Sequence, residues 1–225
     1  MWAPVASRSV EVVVGDRRTP LAPAPRGRWA GDVPGLGPGD DYTFSLDGGP
    51  VRPDPRSRCQ PGGVHGQSRV VDPASFAWTD RGWRGFDLPS AVLYELHIGT
   101  FSPEGTFAGA IDRLDHLVEL GVDAVEVMPV AAFAGDRGWG YDGVDLWAPH
   151  RAYGGPEGLA ALVDACHGRG LGVVLDVVYS HLGPARGRRR PARRAPRGRR
   201  RPGGAPTGRR RRSPTPGRRR TPPRA

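Results

Sequence analysis

Residues 89–184 alternate between two hydrophobic periods, and that alternation limits the fold more than any other feature. Ala91 to His97 reads as a strand. Phe107, Ile111, Leu114 and Val118 then recur at i, i+4, i+7 and i+11, one face of a helix that Thr106 is placed to cap and Gly121 to end. Val122 to Met128 is a second strand. Leu159, Leu162, Val163 and Cys166 repeat the helical spacing between Pro156 and Gly170. Leu171 to Tyr179 adds a third strand, dense in β-branched residues. Strands that alternate with helices are joined by crossovers, so the sheet is expected to be parallel and the class α/β.

The two kinds of connection differ in length. Helix-to-strand links around Gly121 and Gly170 take two or three residues, whereas the link from the second strand to the second helix runs from Pro129 to Pro156. Loops beyond about 12 to 15 residues are uncommon and usually functional. Long strand-to-helix loops with short returns are what a (β/α)8 TIM barrel needs when its site lies at the C-terminal face. A nucleotide-binding sheet would place a glycine-rich phosphate turn after its first strand. Here that turn reads Gly99-Thr100-Phe101-Ser102-Pro103, with neither the dinucleotide nor the P-loop spacing. The expectation is the first three βα units of an incomplete (β/α)8 barrel.

Residues 1–88 follow another rule. Val10-Glu11-Val12-Val13-Val14 stops at Gly15-Asp16, and Tyr42-Thr43-Phe44-Ser45-Leu46 alternates apolar and polar up to Asp47-Gly48-Gly49, a half-buried strand running into a turn. A small N-terminal β-sandwich of the early-set, carbohydrate-binding type is expected. Pro and Gly crowd the stretches from Leu21 to Gly39 and from Gly49 to Gly63, which read as loops.

Net charge has to be read by region. The chain of 225 residues carries a formal +10, yet 18 of its 33 basic residues, all Arg, lie in residues 185–225, which hold no Asp or Glu. The remaining 184 residues carry 15 Arg against 23 acidic groups, a net −8, as in an ordinary acidic globular body. The tail contains only Arg, Pro, Gly, Ala, Thr and Ser, so it has no apolar period and is expected to be disordered. Non-specific contact with nucleic acid or another polyanion is the most it offers, because it lacks aromatics for base stacking. The absence of Lys and Asn points to a gene of high G+C content. Cys59 and Cys166 form no CxxC pair, so neither a disulfide framework nor a zinc site is indicated. No run of about 18 apolar residues and no signal-like start occurs, so no membrane partner and a cytoplasmic location are expected.

The candidate chemistry sits at the strand ends. Gly138-Trp139-Gly140-Tyr141-Asp142-Gly143 lies in the long loop. Trp139 and Tyr141 either offer flat faces to sugar C–H groups, with Asp142 accepting from hydroxyls, or pack the loop onto the barrel. Asp176 interrupts an apolar strand that reads as buried on both faces. An unpaired charge there costs several kcal/mol, so an Arg or backbone donors are expected beside it, in an ion pair or a catalytic role. His181 follows at the exit of the strand, where an imidazole can bond a ligand hydroxyl. Glu126 and His97 also lie near strand ends. Retaining glycoside hydrolysis needs two carboxyl groups about 5 to 5.5 Å apart. Asp176 is the last Asp or Glu in the chain, no second carboxylate has a convincing position, and no catalytic residue is assigned.

Four segments together resemble the opening of the α-amylase superfamily barrel. They are Leu93-Tyr94-Glu95-Leu96-His97-Ile98-Gly99-Thr100-Phe101, Val125-Glu126-Val127-Met128-Pro129-Val130, Arg137 to Asp142, and Asp176-Val177-Val178-Tyr179-Ser180-His181. Thr100 to Phe107 and Arg137 to Val144 are most similar to the branch that releases trehalose from maltooligosyl trehalose, and Leu46 to Val71 resembles that branch's N-terminal sandwich. The resemblance implies a glycoside hydrolase of trehalose biosynthesis acting on an oligosaccharide, with a glucan branching enzyme as the near alternative. It implies that Tyr141 and His181 contact the sugar at the cleavage subsite. Asp176 would support the site through an Arg on a later strand, alongside Trp139 and Asp142. Ser180 replaces an Asn that helps hold calcium in many relatives, so no metal is assigned and no cofactor is expected. The strands that carry the nucleophile and the acid in the family would follow Pro184. The chain as written is therefore expected to be inactive, with Val173 to Val178 an exposed apolar edge. The tail then reads as a frame-shifted translation of the missing barrel, with a genuinely evolved tail as the rival explanation.

Overall fold

The structure is a computed structural model that describes residues 1–181 and residue 183. The expected disordered tail, residues 185–225, lies outside the described residues. The N-terminal part holds β1 (Val10–Val14), β2 (Arg17–Pro20), β3 (Ala22–Ala24), β4 (Arg28–Ala30), β5 (Asp41–Leu46) and β6 (Ser68–Arg69). Four of these form an antiparallel sheet in the order β2-β1-β5-β6, and β3 and β4 form a separate hairpin. Val10, Val12 and Phe44 of the sheet share one apolar core with Leu21 and with Trp29 of the hairpin. The hairpin falls where Pro and Gly suggest only loop. Pro23 is tolerated opposite Trp29 because a two-stranded ribbon has free edges where a missing N–H breaks no ladder. Strand β5 also departs from its alternating pattern, since Thr43 and Ser45 are buried with Phe44. It runs between β1 and β6, and the Ser45 hydroxyl is satisfied by the Gly49 carbonyl at 2.9 Å.

Asp47 closes β5 in a left-handed conformation, φ 54°. Its carboxylate accepts the backbone N–H groups of Ser7, Arg8 and Ser9 at 3.1, 2.7 and 3.0 Å, which ties the N-terminal segment to the turn. Those donors, led by Ser9, hold its pKa down at about 2.

The second part begins with β7 (Leu93–Leu96), followed by α1 (Ile98–Phe101), α2 (Phe107–Ile111) and α3 (Leu114–Leu120). Then come β8 (Ala124–Val127), β9 (Ala131–Ala132), β10 (Asp145–Pro149), α4 (Gly155–Gly168) and β11 (Gly172–Leu175). The expected parallel sheet is present in the order β11-β8-β7, with Leu96, Val127 and Leu175 in one row. Leu96, Val125 and Val127 pack on Phe107, Leu114, Leu117, Leu162 and Cys166 of the helices. Two complete strand-helix-strand passages are therefore described, and whatever follows β11 is outside the described residues. The segment before β7 is strapped to α4. Thr79 bonds Asp164 through both its N–H and its hydroxyl, His167 pairs with Asp80 at 2.7 Å, and Trp83 stacks on His167.

Three expectations change. The first helix is two, since the chain turns at Asp112 and Arg113; Thr106 does cap it, accepting from the Gly109 N–H at 3.1 Å, and Gly121 ends it at φ 81°. The turn advances the phase, so Leu117 is buried and Val118 is 44% exposed. The 129–156 connection contains the β9–β10 ribbon and a tight turn at Arg151–Tyr153, so it is not a plain loop. The third strand stops at Leu175, well before Tyr179. Its one strand neighbour among the described residues is β8, which leaves Leu175 and Val177 40% and 44% exposed and Asp176 only half-buried. Among the described residues no helix is long and apolar enough to cross a membrane.

The Asp47 anchor makes the N-terminal sheet acid-sensitive with a defined sign. A carboxylate with a folded pKa of about 2, below its unfolded value of about 3.9, stabilises the fold above pH ~4, and this contribution disappears as pH falls through 2. Asp47→Asn keeps a residue that tolerates the left-handed turn. It is expected to lower Tm at pH 7, with the difference from wild type shrinking toward pH 2 in thermal unfolding followed by circular dichroism. A pH-independent difference would rule this anchor out.

Candidate functional site

The parallel sheet decides which side chains can meet. Alternate side chains along a strand face opposite ways, so with Leu96 and Val127 turned to the helices, Glu95 and Glu126 fall on the other face as register partners. His97, Met128 and Asp176 follow in the next row, where the Met128 N–H bonds the Leu96 carbonyl and the Asp176 N–H bonds the Val127 carbonyl. The C-terminal end of the sheet thus gathers an imidazole and carboxylates.

The loop after β8 is laid across this end by close backbone approach. Gly140 sits at φ 82°, and a Cβ there would collide with the Pro129 carbonyl. Gly143, at φ 62°, is also tightly placed, since a Cβ there would lie 2.7 Å from the His181 carbonyl oxygen, and its own carbonyl accepts from the Gly183 N–H at 3.0 Å. Only glycine combines that conformation with that contact.

Tyr141 and Asp176 meet as a result. The Tyr141 hydroxyl donates to Asp176 Oδ2 at 3.0 Å, and this bond, reinforced by partial desolvation and by the charges of Asp176, Glu95 and Glu126, pushes the phenol pKa above its usual value. The donor to Asp176 among the described residues is therefore a phenol and not the expected Arg or backbone group. His181 joins them, with Nε2 2.8 Å from the Tyr141 carbonyl. A carbonyl only accepts, so Nε2 carries the proton, while Nδ1 lies 3.2 Å from the Ser180 hydroxyl. Trp139 is 66% exposed and stacks on His97 with ring centroids 5.2 Å apart. Asp142 is half-buried, has no hydrogen-bond partner among the described residues and stays outside the Tyr141–Asp176 pair. Beside Asp176 a pocket of about 30 Å³ is floored by Pro129, Leu146, Leu175, Val178 and Tyr179.

Two of the residues expected near the strand ends take different roles. Glu126 lies two rows deeper than Asp176 on the same face and acts on Tyr141 through its charge. His97 does not open onto the mouth, because its Nε2 faces the Gly138 carbonyl at 2.9 Å and the Tyr153 hydroxyl at 3.0 Å. Sequence reasoning missed Glu95, Tyr153 and His150. Glu95 stands two residues before His97, and the strand period could have found it. Nothing in local spacing ties Tyr153 to a histidine 56 positions earlier. His150 is 1% exposed and stacked on Phe133 at 3.7 Å, and burial, helped by the neighbouring Arg151 charge, pushes its pKa down to about 4. It is a neutral packing group at pH 7. Among the described residues no three His, Cys, Asp or Glu side chains gather where a metal ion could be held.

The catalytic-domain model of the α-amylase family matches residues 70–197. The chain belongs to the α-amylase family. The resemblance read from its motifs is thereby borne out, and the relatives sharpen it. Malto-oligosyltrehalose trehalohydrolase of Arthrobacter ramosus is 57% identical over 189 residues, covering 82% of this chain and 33% of the relative. The protein of the same name from Deinococcus radiodurans is 51% identical over 185 residues, covering 82% and 30%. A 1,4-alpha-glucan branching enzyme of Xanthomonas oryzae is 36% identical over 209 residues, covering 81% and 28%. Among solved structures, a "Putative alpha Amylase" of Salmonella typhimurium superposes with a TM-score of 0.79 at 49% identity, over 83% of this chain and 32% of that one. The type I pullulanase of Bacillus subtilis, solved with maltose, gives a TM-score of 0.69 at 25% identity, over 81% and 31%. The chain spans about a third of the length of the curated relatives it matches.

The Tyr141–Asp176 bond is open to direct titration. The phenolate absorbance difference between wild type and Tyr141→Phe is expected to show a midpoint above 10, and Asp176→Asn is expected to bring that midpoint down toward 10. Equal midpoints with and without the carboxylate would show that the two side chains do not meet.

Proposed function

We propose that this chain carries the opening part of the sugar cleft of a hydrolase that releases trehalose from maltooligosyl trehalose. One observation carries the reading: Tyr141, Asp176 and His181, from two separate stretches of sequence, converge at the C-terminal ends of parallel strands. The identity to two trehalohydrolases supports the same conclusion. Trp139 and Tyr141 offer ring faces to the C–H groups of a sugar, with Asp142 as an acceptor for its hydroxyls. Asp176 anchors the Tyr141 ring at its hydroxyl, and His181 braces the backbone of the same residue.

Bond cleavage is a separate matter. Retention requires a nucleophile and an acid about 5 to 5.5 Å apart. The carboxylate best placed at the sheet end, Asp176, is occupied by a phenol, and the sequence contains no Asp or Glu after it. The polypeptide of 225 residues accordingly binds the oligosaccharide and does not cut it.

Isothermal titration of the full chain with maltooligosyl trehalose, alongside a trehalose-release assay, tests both halves of the proposal. Binding without release is expected. Trp139→Ala and Tyr141→Ala should each weaken it by roughly 10- to 100-fold, the equivalent of ~1.5–3 kcal/mol for an aromatic face removed from the contact. Release of trehalose would overturn the binding-only role, and absence of binding would overturn the site. Equal affinity for plain maltooligosaccharides would favour a branching-enzyme cleft instead.

A further inference from the structure

We infer that His97 is a positioning residue, which clamps the Gly138–Tyr141 stretch to the end of β7 and so sets the plane of the Trp139 ring. The Gly138 carbonyl receives two donors, the Tyr153 hydroxyl at 2.9 Å and His97 Nε2 at 2.9 Å. Since a carbonyl only accepts, Nε2 bears the proton; the Tyr153 hydroxyl, 3.0 Å from it, spends its own proton on the same carbonyl. On the far side of the ring Nδ1 lies 3.1 Å from the Thr100 hydroxyl. An imidazole held at both nitrogens has a fixed plane, and Trp139 lies over that plane at 5.2 Å and 30°.

The clamp is rooted in the core. Tyr153 is 2% exposed and meets Phe107, Phe133 and His150 edge to face at 6.0, 5.9 and 5.2 Å. Packing supplies a second, independent sign. A Cβ on Gly99 would lie 2.9 Å from the His97 ring and 3.2 Å from the Tyr153 ring, so the glycine leaves the gap in which the two rings meet. His97 is closed to substrate on its nitrogens by protein groups and on one face by Trp139. It acts on a bound sugar through the loop, and only this last step rests on the cleft proposed above.

The test uses the full chain labelled with fluorotryptophan, with the Trp139 signal assigned by Trp139→Phe. His97→Leu removes the donor, and His97→Gln can return an N–H to the place of Nε2. His97→Leu is expected to shift and broaden the Trp139 fluorine resonance, leave the other five Trp signals in place, and weaken maltooligosyl trehalose binding about tenfold. His97→Gln should restore most of both. Tyr153→Phe, which keeps the ring and loses one donor, should move the same resonance less, and it decides the matter if His97→Leu does not fold. An unmoved Trp139 signal, or a Gln variant as perturbed as the Leu variant, would overturn the clamp. If wild type binds no sugar, the cleft reading falls while the fluorine signals still judge His97.

Discussion

The absence of a side chain at Gly140, where its backbone passes the Pro129 carbonyl, is the contact on which the rest of the site depends. It lets one loop fold back over the strand it has just left. From that crossing the loop reaches all three strand ends. Gly138 is bonded to His97 at the end of β7, Gly140 lies against Pro129 two residues past β8, and Tyr141 bonds Asp176 at the end of β11. The parallel sheet supplies three ends at neighbouring positions, and the glycine backbone supplies the approach. Neither alone would assemble the group.

The electrostatics follow from the same placement. Glu95, Glu126 and Asp176 share the face turned away from the helices, and together they favour the neutral, hydrogen-donating form of Tyr141. The nearby histidines take separate parts: His150 is kept neutral by burial, and His97 and His181 each bond a backbone carbonyl of the loop. His97 and His181 both hold the loop, and the Trp139 and Tyr141 rings stay exposed beside it. On the proposed reading, such a surface takes a ligand with hydroxyls and C–H faces.

Much of this was legible in the sequence, where the signal was local. Strand β1 has the bounds that its run of valines suggests, and Thr106, Gly121, Pro156 and Gly170 punctuate the chain as read. Caps and stops depend on a few neighbouring residues. The features that were not legible depend on distant ones. The first helix breaks at Asp112 because the packed sheet sets the phase of Leu117, the third strand is short because β8 is its one strand neighbour among the described residues, and the Ala22–Ala24 hairpin forms because Trp29 is drawn into the core of the N-terminal sheet. For Trp139 the loop-packing reading has its contact in the His97 ring, while the residue stays 66% exposed. The His97–Tyr153 contact joins separate passages of the barrel portion, and no spacing rule within either one announces it.

Amide hydrogen exchange on Gly140→Ala tests the central contact most directly. A methyl group at Gly140 must lift the loop from Pro129, so the Gly183 amide, bonded to the Gly143 carbonyl, is predicted to lose protection together with the loop amides. The amides of Val125 and Ala110, deep in the sheet and in α2, are predicted to keep theirs. Unchanged protection at Gly183 would contradict the account, because the loop would then rest on the strand ends without the glycine approach that is held to place it there.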